Sequence, residues 1–285
     1  MIEIDFIDEL DRFNLALKKN STEIQEGEQS SSSTGQGMIF EDHKKYQPGD
    51  DIRKIDWKAY ARTDEVYVKR FEEEKSITVH ILVDRSSSMD FGEPNKYDYA
   101  AKIGLALAYM ASNTNDRFRY SVFSETVTDI SSARRNPNLG EMVDTLNQLR
   151  KTPESLIERC VNEYSAKIEN KSVVVIISDF LTEIDEIESA VSRLSESDVV
   201  LINTFDKEEL DPGMEGDKIL TDPESDSKLR TYVSRRTRNK YQENIQEHTD
   251  AIEEIADKYG ASYILASTSD DVFDSFLKAW RAINE

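Results

Sequence analysis

The chain has 285 residues, with 36 basic side chains against 57 acidic ones and a formal net charge of −21 at pH 7. That length allows one large α/β domain, or one domain with a substantial appendage, and the charge repels phosphate backbones and anionic membrane surfaces, so nucleic acid is not an expected partner. The single cysteine, Cys160, has no second thiol to pair with. Neither end carries a signal peptide or an apolar run long enough to span a membrane, so a cytoplasmic protein without membrane insertion is expected.

Apolar residues at helical spacing, Phe6, Leu10, Phe13 and Leu17, predict an amphipathic helix over residues 5–19. The Ser-, Gly- and Gln-rich stretch Glu26 to Gly37 offers little apolar area against ordering entropy and is expected to be a mobile loop. The segment from Tyr46 to Trp57 contains the Pro48-Gly49-Asp50 turn and a short helical turn at Ile52 and Ile55, and Val66 to Phe71 alternates as a strand. From residue 77 strand and helix alternate. Strands are expected at Ile77–Val83, Phe118–Phe123, Val173–Ser178, Val199–Thr204 and Ser262–Leu265. Helices are expected at Tyr97–Ser112, Leu139–Leu149, Ser155–Ile168, Ile184–Ser195, Arg236–Tyr259 and Asp271–Ala282. A β-hairpin, with arms near Lys218 to Leu220 and Lys228 to Val233, interrupts the alternation between residues 206 and 235. The expected fold is therefore α/β, a doubly wound, mainly parallel sheet. Its expected division is an N-terminal helix, loop and polar segment over 1–75, followed by the α/β domain with its inserted hairpin over 76–285.

Two apolar strands run straight into oxygen-bearing residues. Ile77-Thr78-Val79-His80-Ile81-Leu82-Val83 leads into Asp84-Arg85-Ser86-Ser87-Ser88, and Val173-Val174-Val175-Ile176-Ile177 leads into Ser178-Asp179. Open parallel sheets bind ligands at the carboxyl ends of their strands, at the point where the winding reverses, which would set Asp84 and Asp179 across one crevice. Carboxylates with the alternate hydroxyls of Ser86 and Ser88 are hard donors suited to a small divalent cation, magnesium or manganese, that shares its shell with water.

Asp-x-Ser-x-Ser after a first strand, with a later strand ending in Asp, resembles the metal-ion-dependent adhesion site (MIDAS) of von Willebrand factor A domains. The upstream segment Tyr46 to Trp57, with Ala61-Arg62 and Val68 to Glu74, resembles the signature that precedes such a domain in the family called domain of unknown function 58. The likeness spans nearly all of the chain after about residue 35. It implies a von Willebrand factor A-like, Rossmann-like fold and a metal site of Asp84, Ser86, Ser88 and Asp179, with one further hydroxyl from a second loop. Such domains usually supply a threonine there. Here Ser155 is the preferred residue and Thr152 its rival. The resemblance also implies binding rather than turnover: an acidic side chain of a protein partner completes the metal's shell, the partner being a MoxR-type AAA+ ATPase or its client, for which the chain would be an adaptor.

Two rival functions remain. A magnesium-dependent phosphohydrolase could use Asp84 as nucleophile, but Ser86 stands where such enzymes need a second Asp as general acid, a loss of about two to four decades in rate. A scaffold with an empty metal site is the other. A serine hydrolase is disfavoured because Gly-x-Ser-x-Gly is absent and His43, His80 and His248 fall on separate elements. Asp50, Asp51, Arg53, Asp56, Trp57 and Arg62 are read as a structural network of buried charge pairs rather than an acid–base site.

Overall fold

The computed structural model describes residues 1–3, 5–25, 38–48, 50, 55–63, 65–73, 77–114, 116–131, 138–149, 154–168, 172–210, 216–221 and 228–284. The expected mobile loop at Glu26 to Gly37, Gly49, the Asp51–Lys54 part of the polar segment and Thr152 lie outside the described residues. The chain divides into two compact units, Met1–Lys18 with Ile77–Glu285, and Lys19–Ser76.

In the larger unit a six-stranded sheet runs in the order β10-β7-β6-β3-β4-β5. Its strands are β3 (Thr78–Asp84), β4 (Arg117–Phe123), β5 (Thr128–Ser131), β6 (Val173–Ser178), β7 (Asp198–Phe205) and β10 (Ser262–Ser267). All neighbours are parallel except β5, which pairs antiparallel with β4 at one edge. The fold is thus the doubly wound, mainly parallel α/β architecture expected, with the winding reversing between the central strands β3 and β6. Strand β5 was not anticipated, because Thr128-Asp129-Ile130-Ser131 is short and mostly polar, as edge strands often are.

Side-chain alternation along each strand builds two cores. Val79, Ile81 and Val83 of β3 with Val173, Val175 and Ile177 of β6 face α3 (Lys96–Asn113), α4 (Leu139–Gln148) and α9 (Val272–Asn284), whereas Leu82, Val174 and Ile176 face α5 (Ile157–Ser165), α6 (Ile184–Arg193) and α8 (Arg235–Tyr259). Each such side chain, taken wholly out of water, contributes about 1.5–3 kcal/mol. Helix α3 lies close to the sheet because its inner face is small. A Cβ on Gly104 would stand only 2.8 Å from a ring carbon of Tyr120, whose hydroxyl donates to the Ala101 carbonyl at 3.2 Å.

The expected grouping of the first helix with the polar segment is corrected. Helix α1 (Asp5–Gln25) belongs through Lys18 to the larger unit, because Phe6 and Leu10, with Ile2, are buried in the core that α3 and α9 share, and Phe13 stacks on Phe273 at 4.7 Å. Phe6, Leu10 and Phe13, three of the residues that predicted the helix, lie on the face it buries.

The inserted hairpin is formed by β8 (Gly216–Thr221) and β9 (Lys228–Val233), preceded by the short α7 (Lys207–Leu210). In the smaller unit β1 (Met38–Lys45) pairs antiparallel with β2 (Tyr67–Glu73), and α2 (Trp57–Thr63) lies between them in sequence. Of the expected charge network, Asp51 and Arg53 lie outside the described residues. Asp56 accepts from the Lys58 and Ala59 amides at 2.9 and 3.1 Å, capping α2, and Asp50 pairs with Lys44 at 3.2 Å. Trp57 and Arg62 are exposed. Among the described residues, no helix is long and apolar enough to cross a membrane.

Candidate metal centre

The parallel pairing of β3 with β6 places Val83 beside Ile177, so the residues that follow, Asp84 on one strand and Ser178-Asp179 on the next, emerge together at the carboxyl edge. Asp84 and Asp179 are both buried, with 0% and 1% of their surface exposed. Asp84 is held through both oxygens: Oδ1 accepts the Ser86 amide at 2.8 Å, and Oδ2 accepts the hydroxyls of Ser178 and Ser155, each at 2.7 Å. The Ser86 and Ser88 hydroxyls lie 3.0 Å apart in the 3₁₀ turn that opens at Ser87, and this loop is pinned by the Arg85 amide donating to the Phe123 carbonyl at 2.9 Å.

Ser155 reaches Asp84 from a second loop. It precedes α5 rather than opening it as expected, and its neighbour Leu156 donates its amide to the Ser124 carbonyl at 2.9 Å, fixing this loop on the end of β4. All five expected residues are therefore in the crevice. Asp84, Ser86, Ser88 and Ser155 are drawn together around the Asp84 carboxylate, and Asp179 stands beside them, close enough for its charge to act on Asp84. Burial, followed by that repulsion, pushes the Asp84 carboxyl up to about 6, against the bonds from Ser178, Ser86 and Ser155.

Two residues that sequence reasoning missed, Lys96 and Glu209, complete the crevice. Lys96, the first residue of α3, is wholly buried, and its ammonium lies 2.8 Å from Asp179 Oδ2 and 2.7 Å from Glu209 Oε1. A signal was available: a cation at a helix N-terminus opposes the helix dipole and so calls for another reason to be there. Glu209 is in turn fixed by α7, whose opening is a capping box. Asp206 Oδ1 accepts the Glu208 amide, and Glu209 Oε2 accepts the Asp206 amide, both at 2.8 Å.

The donor set suits a hard divalent cation. It consists of carboxylate and hydroxyl oxygens without nitrogen or sulfur, and among the described residues the Lys96 ammonium pairs with Asp179 and Glu209 but not with Asp84, leaving formal negative charge that a divalent ion would balance. Among the described residues no three His, Cys, Asp or Glu side chains converge as a ligand set, so any such ion would rest on hydroxyls as well as carboxylates.

Two other buried groups near the sheet, His80 and Cys160, have their polar atoms paired. His80 Nδ1 shares a hydrogen bond with the Tyr164 hydroxyl at 2.9 Å, and burial pushes the imidazole down to about 4, which keeps it neutral. Cys160 is buried, donates to the Ser124 carbonyl at 3.2 Å and has its thiol pushed up to about 11 by that burial.

Comparison with known proteins agrees with the resemblance to the domain of unknown function 58 family. An uncharacterized protein of Mycobacterium bovis, Mb1516, is 24% identical over 217 residues, 74% of this chain and 68% of that one, and YeaD of Bacillus subtilis is 34% identical over 80 residues, 26% of this chain and 20% of its own. Among solved structures, an aerotolerance-related membrane protein from Bacteroides fragilis aligns over 73% of this chain and 98% of its own at 14% identity and a TM-score of 0.46. BatB from Bacteroides thetaiotaomicron covers 73% and 100% at 12% identity and 0.44, and the SpRpn10 VWA domain covers 71% and 94% at 10% identity and 0.44. The family model described as "Protein of unknown function DUF58" matches residues 42–251, and the chain belongs to that family.

Proposed function

We propose that this chain is a non-enzymatic docking module that takes one divalent cation, magnesium or manganese, at the carboxyl edge of its sheet and uses it to bind an acidic side chain of a protein partner. The observation that carries this reading is the gathering of Ser86, Ser88 and Ser155 around the buried Asp84 carboxylate beside Asp179. Asp84, Ser86, Ser88 and Ser155 would hold the ion and Asp179 would balance its charge. When bound, the ion supplies an open coordination position to an incoming carboxylate.

Electrostatics gives the ion a gating role. A chain of net charge −21 repels an acidic partner, and a cation between the two carboxylates converts that repulsion into a contact. Docking then depends on occupancy. The partner class we infer is a MoxR-type AAA+ ATPase or its client, with the chain as adaptor. The test is affinity capture from the native cell with and without EDTA, using wild type and Asp84→Ala side by side. Recovery of the ATPase that is lost in both EDTA and Asp84→Ala is expected; recovery indifferent to both sinks the proposal.

A further inference from the structure

We propose that Lys96 is the resident cation of this crevice: its tethered ammonium neutralises Asp179 and Glu209 and thereby lets the site stand without a metal and weakens its hold on one. The inference builds on the reading of the Asp84 crevice as a divalent-cation site and assigns a residue that sets its affinity.

The placement of Lys96 is built rather than incidental. Its side chain has no exposure at all, a state that a charged group tolerates only when paired. The loop Asp90–Asn95 delivers it. Gly92, at φ +84°, lies so close to Asp206 that a Cβ would fall 2.3 Å from its Oδ2, and Asp206 is itself held by the Thr268 hydroxyl at 2.7 Å. Three residues on, Asn95 caps α3 by accepting the Asp98 amide at 3.3 Å, while the Lys96 amide donates to the Phe91 carbonyl at 2.9 Å. Backbone and cap thus aim the side chain inward at the start of the helix, where the dipole gives it no support. Its stabilisation comes from the carboxylates of β6 and α7.

That arrangement puts a fixed positive charge in competition with a mobile one for Asp179. Asp179 Oδ2 is taken by Lys96, and its Oδ1 accepts the Leu181 amide at 3.3 Å. Removing the ammonium strips Asp179 and Glu209 of their positive partner beside the buried Asp84, so the crevice has more to gain from a divalent ion, while losing stability when none is present.

The experiment uses Mn²⁺ alone as probe, read by loss of its free-ion electron paramagnetic resonance signal and by thermal melts in EDTA and in Mn²⁺. The proteins are wild type, Lys96→Met and Lys96→Met combined with Asp84→Asn. Lys96→Met is expected to melt lower than wild type in EDTA, to gain more from Mn²⁺ than wild type does, and to bind it at least about tenfold more tightly; adding Asp84→Asn is expected to abolish that gain. Should Lys96→Met fail to fold in EDTA, Lys96→Met with Glu209→Gln, which removes one carboxylate with the ammonium, is read in the same way. A variant that melts lower but gains no more from Mn²⁺ than wild type overturns the proposal, leaving Lys96 as a brace between α3 and α7, and unchanged stability in EDTA overturns it as well. If wild type ignores Mn²⁺ while Lys96→Met responds, the role of Lys96 stands and the metal-dependent function falls. If wild type responds and Lys96→Met gains nothing over it, the reverse holds. Silence from both proteins refutes both.

Discussion

His80 and Asp84 sit four residues apart on the same strand, roughly 13 Å along it, and are buried alike, with 1% and 0% exposure. Their surroundings answer that burial in opposite ways. His80 meets a neutral hydroxyl from Tyr164 and is pushed down to about 4, losing its charge; Asp84 meets a second carboxylate and is pushed up to about 6. At the first position the account closes with one hydrogen bond. At the second, two carboxylates, Asp179 and Glu209, share the Lys96 ammonium, and Asp84 beside them is held only by hydroxyls and an amide. Burial of a polar group therefore does not mark a site by itself; burial with unbalanced charge does.

The comparison breaks most directly at Lys96. Lys96→Met strands two carboxylates, and loss of one partner of a buried pair costs about 3–5 kcal/mol, or roughly 10 °C in melting temperature in EDTA. A penalty no larger than that of an ordinary hydrogen bond would show that the crevice is not under charge stress. Next in size is the response of wild type to Mg²⁺ or Mn²⁺. At a hundredfold excess over Kd a bound ion adds about 2.7 kcal/mol, roughly 5–10 °C, and Asp84→Ala should lose it.

The pH response sharpens the other half. An imidazole lowered from 6.5 to about 4 binds its proton more readily in the unfolded chain, so its contribution is intact above pH 6.5 and is lost as pH falls toward 4. Asp84 titrates with the opposite slope but is common to wild type and His80→Gln. Their stability gap should therefore shift against wild type by about 3 kcal/mol between pH 7 and pH 4, as read by urea unfolding; a constant gap would show that His80 is not held neutral by burial. The smallest effect belongs to a neutral pair elsewhere in the core. Tyr99→Phe removes the 2.8 Å bond to Ser275 and should cost about 1 kcal/mol by the same measurement.

The central sheet and most of the crevice were legible because one pattern encodes both. β3 and β6 are apolar runs that end in Asp or Ser-Asp, so strand, direction and ligand edge are read together. Ser155 was legible only through the family resemblance and the apolar Ile157 and Cys160 that follow it, since its loop carries no motif of its own and its helix begins two residues after the expected start at Ser155. Lys96 and Glu209 were not found, because their meeting is made by tertiary structure: 113 residues separate them, and each looks like one more surface charge among many. β1 escaped for a local reason. Met38-Ile39-Phe40-Glu41-Asp42-His43-Lys44-Lys45 lacks alternation, and its register shifts between Phe40 and Asp42.

Phe180, next to Asp179, has φ +49°, an unusual conformation for a bulky residue, and its carbonyl accepts a bond from His248 Nε2 of α8 at 2.8 Å. The shape of the loop is therefore imposed from a helix 68 residues further along the chain rather than written in its own few residues. It follows that the crevice is not portable. A synthetic peptide carrying Asp84 to Ser88, or a graft of both short loops onto another sheet, would reproduce the letters of the motif without the scaffold that gives them their geometry.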